Sequence, residues 1–281
     1  MTERILSYQH LNTFRENLIR AEKSAATVEK YLRDAGAFLA YSVGKNITKE
    51  HTVSYKRSLQ EQGYAIRSIN SMLASVNSLL DFLGWADCKV KNLRYQRQIY
   101  CAEERKLSKS EYIRLLQASK YQTQLNLVLQ TICSTGIRVS ELRFFTVEAV
   151  SSGEVIVNCK NKTRTIMIPG KLKKLLLNYA KKKRIKSGAI FISKNGKPLN
   201  RSNIWAKMKR LSVIANVTPS KVFPHNLRKL FARTFYAAEK DIAKLADILG
   251  HSSIDTTRIY IMTDGNEHRK KIDRLGLVML R

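Results

Sequence analysis

Cysteine is scarce and unpaired in this chain. Four stand among 281 residues, Cys88, Cys101, Cys133 and Cys159, with no C-x-x-C pair and no histidines at metal-ligand spacing. Neither a disulfide framework nor a zinc site is encoded, and the thiols read as reduced and buried or half-buried. Long apolar runs are missing too. No stretch approaches the about 18 residues of a spanning helix, and no terminal segment reads as an amphipathic membrane anchor. Glu3 and Arg4 occupy the start where a secretion signal needs an apolar core, so the expected location is the cytoplasm. There is no P-loop and no carboxylate cluster suited to paired magnesium ions, so nothing asks for ATP, a metal or another cofactor. Internal repeats and low-complexity tracts are also absent.

Negative charge is the largest deficit: 22 Asp+Glu stand against 51 Lys+Arg, a formal net charge of +29. The excess is uneven. Residues 1–104 carry 15 basic against 11 acidic side chains, whereas residues 105–281 carry 36 against 11. Such a surface draws a polyanion through counterion release, with steep salt dependence and no sequence preference. DNA, RNA and a ribosomal partner all satisfy charge alone.

The length allows two domains with separate cores. Apolar spacing predicts four helices in the first hundred residues. One spans Tyr8 to Glu22, a second follows the cap Ser24, and a third runs from the cap Thr48 to near Gly63. The fourth covers Ser68 to Leu83. This reads as a small bundle over 1–86. Residues 87–106 lose periodicity and gain Lys89, Lys91, Arg94, Arg97, Arg105 and Lys106, as a basic linker would. From 107 to 281 the elements mix. A capping box at Ser108 and Glu111 opens a helix, an apolar helix from Leu125 ends at Gly136, and a short one follows Val139. Two β-branched runs, Val155–Val157 and Thr165–Ile168, flank a basic hairpin tip at 160–163. Helices are expected over Lys171–Lys183 and from the cap Asn200 to Ile214, with Ile190–Ile192 as an edge strand and helix thereafter. The fold class is mainly α with a small β-sheet (α+β): an N-terminal helical bundle, then a mixed α/β domain.

Candidate chemistry collects in the second domain. Pro224 starts a helix on which His225 and Arg228, three residues apart, share a face. Arginine presents a donor fork matched to phosphate. His251 and Tyr260 are nine residues apart; in one unbroken helix, at about 100° per residue, they would face opposite ways. Gly250 supplies a C-cap, and Ser252 with Asp255 resembles a fresh N-terminal box, so the chain can fold back and bring the two together. Arg138 follows Gly136 at a helix entry, with Glu141 one turn on to hold its guanidinium. Lys160 and Lys162 stand at the hairpin tip. Each piece alone has a plainer reading: a surface salt bridge for Arg138 and Glu141, a core side chain for Tyr260.

Taken together, Arg138-Val139-Ser140-Glu141-Leu142, the basic hairpin, His225-x-x-Arg228, Leu249-Gly250-His251 and Tyr260 resemble the tyrosine recombinase (phage integrase, Xer-like) family in order and spacing. The resemblance implies a SAM-like core-binding bundle and a catalytic domain of the DNA breaking-rejoining type. Arg138 and Arg228 would bind the scissile phosphate, and Lys160, with Lys162 as fallback, would protonate the leaving 5′ oxygen. His225 and His251 match the two histidine positions, and Tyr260 matches the nucleophile. After Arg228 the chain reads Lys229-Leu230-Phe231 where relatives often have His-Thr-Phe, a departure at no catalytic position. Implied partners are double-stranded recombination sites, further copies of the chain in a tetramer on DNA, and an accessory DNA-bending or directionality protein; no membrane is implied. The implied location is cytoplasmic and nucleoid-associated. The apolar tail residues Ile272, Leu275, Leu277, Val278 and Leu280 would dock on a neighbouring protomer. With the bundle starting almost at the first residue, no arm-site domain of the lambda-integrase type is expected. That favours a simple recombinase of the Xer or mobile-element kind. A type IB topoisomerase and a non-catalytic DNA-binding regulator are the competing readings.

Overall fold

The computed structural model describes residues 3–94, 106–159, 162–193, 195–262, 269–270 and 272–278. The chain divides into two compact units, Met1–Arg97 and Gln98–Arg281.

Four helices make the first unit: α1 (Tyr8–Arg20), α2 (Ala25–Tyr41), α3 (Lys49–Glu61) and α4 (Ile66–Phe82). The Ser24 and Thr48 hydroxyls accept from the amides of Thr27 and His51, capping α2 and α3 as their sequence positions predict. The fourth helix begins two residues before Ser68. Its first turn is closed by backbone bonds to Ala65, with no side-chain cap. Phe14, Phe38, Ile69, Leu73, Val76, Leu79 and Leu80 fill the core. One charge lies among them. Asp34 is buried and accepts from Lys30, Arg33 and Ser75, so its carboxylate is paired rather than stranded.

The segment expected to open the linker packs onto this unit. Cys88 and Val90 are buried in its core. Asn77 accepts from the Val90 amide at 3.0 Å and donates to the Val90 carbonyl at 2.9 Å; Asn70 does the same for Leu93 at 2.8 and 2.9 Å. Two side-chain amides seven residues apart on α4 thus act as the partner strand that residues 90–93 lack. Residues 95–105 of the expected linker, among them Arg97 and Arg105, lie outside the described residues.

The second unit runs α5 (Lys109–Ala118), α6 (Thr123–Thr135), a 3-10 turn (Val139–Phe144), α7 (Val147–Ser152), β1 (Glu154–Cys159) and β2 (Lys162–Met167). It continues with α8 (Gly170–Lys182), α9 (Arg201–Ile214), α10 (Pro224–Glu239), α11 (Ile242–Leu249) and α12 (Ile254–Ile261). Helix α6 buries Leu125, Leu127, Val128, Leu129 and Ile132. Of its thirteen residues Thr123 alone is exposed, and Thr131 and Thr135 turn their hydroxyls back onto the Leu127 and Thr131 carbonyls, so a helix with many polar residues still runs through the core of the unit. The strands pair antiparallel, Val155 opposite Ile166 and Val157 opposite Arg164. Ile190–Ile192 is not an edge strand; this segment contributes only an isolated bridge, Ile192 to Pro198. Ile190 and Phe191 are both buried, which a pleated edge with alternating faces does not allow. Among the described residues the fold is mainly helical with one two-stranded sheet.

Asn77→Ala removes both bonds at Val90. It should cost about 1–3 kcal/mol and speed alkylation of buried Cys88, read by peptide mass spectrometry. Labelling at the wild-type rate would mean that apolar burial alone holds the strap.

Candidate active site

Two glycines let the site assemble. Gly136 ends α6 at φ +66°, and a Cβ there would run into the Phe231 ring of α10 and the Leu249 side chain of α11. Gly250 ends α11 at φ +63°, where a Cβ would stand 2.6 Å from Cδ of Arg164. Both backbones need the left-handed region that glycine enters freely. Pro224 at N1 of α10 sets His225 and Arg228 on one side of that helix. After Gly250 the chain turns, and α12 is capped by Ser253, whose hydroxyl accepts from the Asp255 amide. The cap falls one residue later than the expected Ser252, because Ser253 has the extended backbone that an N-cap requires (φ −144°, ψ 134°). The turn returns Tyr260 to both histidines. Its ring centroid lies 5.0 Å from that of His225 and 4.8 Å from that of His251, with the Arg228 guanidinium 5.9 Å away over the ring.

Three arginines converge on the carboxyl end of α11, each on a different carbonyl. Arg164 donates to Ile248, Arg228 to Leu249 at 2.6 Å, and Arg138 to Gly250 at 3.3 Å. Arg228 also donates to the Gly136 carbonyl. Helix C-terminal carbonyls carry partial negative charge, so they hold guanidiniums without cancelling them. Among the described residues one carboxylate, Glu141, is paired with the group. Glu141, with 0% of its surface exposed, accepts from the Arg138 amide at 2.7 Å, from Arg138 Nη1 at 3.0 Å and from Arg164 Nη2 at 2.5 Å. Three guanidiniums around one carboxylate leave a surplus of positive charge. Arg228 is 1% exposed, and burial followed by repulsion from Arg138 lowers its pKa to about 10, still charged at neutral pH.

The histidines are neutral. Arg228 Nη2 lies 3.0 Å from His251 Nε2, and an arginine can only donate, so Nε2 accepts. The ring proton then sits on Nδ1, 2.9 Å from the Thr257 hydroxyl. Burial, then Arg228, Arg138, Arg164 and His225, lowers the His251 pKa to about 4. His225 keeps one side in solvent and packs the other on Tyr260. Lost hydration on the packed side, then Lys229, Arg228, Arg138 and Arg201, brings it also to about 4. Tyr260, 8% exposed, packs with Ala232, Leu245 and Leu249.

Arg138, His225, Arg228, His251 and Tyr260 therefore meet in one chain. Lys160 lies outside the described residues; Lys162 opens β2. Sequence reasoning gave no role to Arg164 or Thr257. Arg164 did carry a signal: it falls in the inward phase of β2 with Ile166, where an arginine needs a buried acid. Among the described residues no group of His, Cys, Asp and Glu could hold a metal, and no helix is long and apolar enough to cross a membrane. Ile272, Leu275, Leu277 and Val278 are exposed, and Leu280 lies outside the described residues.

Because both histidines bind a proton more weakly folded than unfolded, the unfolded chain takes up more protons between pH 6.5 and about 4. Their contribution to stability is present above pH 6.5 and lost as pH falls through that window. The DNA-free melting temperature should drop from pH 7 to pH 4.5 more steeply for wild type than for His251→Asn; parallel curves would contradict neutral imidazoles.

Comparison with known proteins places these features in a family. The Phage integrase family model matches residues 105–267, and the Phage integrase N-terminal SAM-like domain matches 11–87. Tyrosine recombinase XerA of Pyrococcus furiosus is 27% identical over 286 residues, covering 99% of this chain and 98% of its own. Tyrosine recombinase XerD of Halalkalibacterium halodurans is 28% identical over 257 residues, covering 83% and 86%. In fold the chain is similar to a lambda integrase tetramer bound to a Holliday junction (TM-score 0.71, 17% identity, 90% of this chain and 76% of that one). With a family model matched over more than half its length, this chain belongs to the phage integrase family and is a site-specific DNA recombinase of the tyrosine class.

Proposed function

We propose that Tyr260 is the nucleophile of strand exchange. The observation that carries this is its ring, held between His225 and His251 and beside Arg228 within a single chain. In the proposed step the phenolic oxygen attacks the scissile phosphorus in line. An O–P bond to tyrosine forms, the P–O5′ bond breaks, and the products are a 3′-phosphotyrosyl enzyme and a 5′-hydroxyl. His225, neutral at pH 7, accepts the phenol proton. Lys160, or Lys162 in its place, gives a proton to the departing 5′ oxygen. Arg138 and Arg228 meet the charge that grows on the nonbridging oxygens, already fixed in place by carbonyls and by Glu141. His251 steadies Arg228 and packs the tyrosine ring. Attack by a 5′-hydroxyl from a second duplex reverses the step, and the phosphotyrosine conserves the bond energy, so ATP has no part in the cycle.

The same reading takes residues 1–86 as a core-binding domain, 87–106 as a basic linker and 107–281 as the catalytic domain with an interaction tail. Paired double-stranded sites are the substrate, and four protomers act on two duplexes, as in the related tetramer on a Holliday junction. The setting is the cytoplasm, with the nucleoid, and the task is integration and excision of a mobile element or resolution of the Xer type. Xer relatives over nearly the whole chain support a recombinase over a type IB topoisomerase with equal chemistry. A topoisomerase would relax any supercoiled plasmid alone; this enzyme should require paired sites.

A nicked suicide duplex in EDTA should give a denaturant-resistant protein–DNA adduct, absent with Tyr260→Phe. No adduct under conditions where the protein binds the duplex would end the proposal. Arg228→Ala should slow adduct formation about 10²–10³-fold while most affinity survives through other phosphate contacts. An equal loss of binding and cleavage would remove Arg228 from the chemistry.

A further inference from the structure

Arg164 is a partly buried arginine with no part in the chemistry described so far. It sits on β2 opposite Val157, on the face that buries Ile166, and its side chain is 12% exposed. Resting on the reading that Tyr260 attacks a phosphodiester held by Arg138 and Arg228, we infer that Arg164 is a positioning residue. It sets that arginine pair by gripping the protein.

Two bonds carry the inference. Through Nη2 it holds Glu141 Oε2 at 2.5 Å, the same oxygen that accepts from the Arg138 amide. Glu141 Oε1 in turn holds Arg138 Nη1. A buried carboxylate facing Arg138 alone would form a closed ion pair and compete with any phosphate for that guanidinium. Arg164 supplies the counter-charge, so Glu141 orients Arg138 without consuming it. Through Nη1 it donates to Ile248, the first of the three successive carbonyls on which Arg228 and Arg138 also rest. One rigid fork therefore joins the sheet, the Glu141 turn and the end of α11.

The surroundings are shaped for this arm. A side chain at Gly250 would begin 2.6 Å from Arg164 Cδ, so the helix cap leaves room for the arginine to pass. Its charge is felt at the site as well, since Arg164 helps lower the pKa of both His251 and Arg228. Lysine cannot replace it: a single ammonium has the charge but not the planar fork that reaches a carboxylate and a carbonyl at once.

The test is single-turnover adduct formation by Arg164→Lys on two nicked duplexes, one with an ordinary scissile phosphate and one with an uncharged methylphosphonate. DNA affinity and melting temperature are measured alongside. On the phosphodiester the rate should fall about 10- to 100-fold, the scale of a misplaced group near the reacting atoms, with affinity nearly unchanged. On the methylphosphonate, which is neutral before attack and has one nonbridging oxygen instead of two for Arg138 and Arg228 to hold, the loss should be much smaller. An unchanged rate, or the same fractional loss on both substrates, overturns the inference. If Arg164→Lys unfolds at assay temperature, Arg164→Met combined with Glu141→Gln removes the buried charges together and is judged by the same two rates. Absence of any adduct from the wild-type protein would instead overturn the assignment of Tyr260, and this inference with it.

Discussion

Everything in the catalytic unit that handles charge depends on the last three carbonyls of one short helix. Ile248, Leu249 and Gly250 each receive a different arginine. The arrangement meets two conflicting demands. Guanidiniums must be fixed before substrate arrives, yet their charge must survive the fixing. Carboxylates satisfy the first demand and defeat the second; backbone carbonyls satisfy both, because they accept hydrogen bonds while bearing only partial charge. Glu141 is, among the described residues, the carboxylate in the group, and it is shared between two arginines.

The same positive surplus governs the histidines. Each is partly stripped of water and faces cations, on its own helix and beyond for His225 and on other elements for His251, so neither holds a second proton at neutral pH. For His251 the hydrogen bonds agree with the electrostatics. A nitrogen that accepts from Arg228 cannot carry a proton, and the other nitrogen has a hydroxyl to donate to. Tyr260 gains a surrounding of neutral rings within a cationic pocket.

Local signals explain which parts were legible in the sequence. The caps at Ser24, Thr48, Ser108 and Asn200 each follow from a hydroxyl or amide next to an apolar period, and each is found where the period begins. Gly250 announced the break that lets His251 and Tyr260 meet, since no continuous helix could bring them together. What escaped was non-local. Ile190–Ile192 has strand composition, but the domain buries two of its residues in succession and never offers it a partner strand. Glu141 beside Arg138 fits a surface salt bridge equally well until Arg164, 23 residues away, closes over it. The asparagines of α4 gave no hint that they bind a backbone segment.

The close approach at Gly136 and Gly250 has an evolutionary corollary. Neither glycine carries a functional group, yet each occupies a conformation and a space that no other residue fits without moving Phe231 or Arg164. In a screen of random variants these two silent positions should score as intolerantly as the reactive side chains. Most of the lysines that dominate the composition can drift freely, so mutational constraint would trace the backbone crossings of the site rather than its charge.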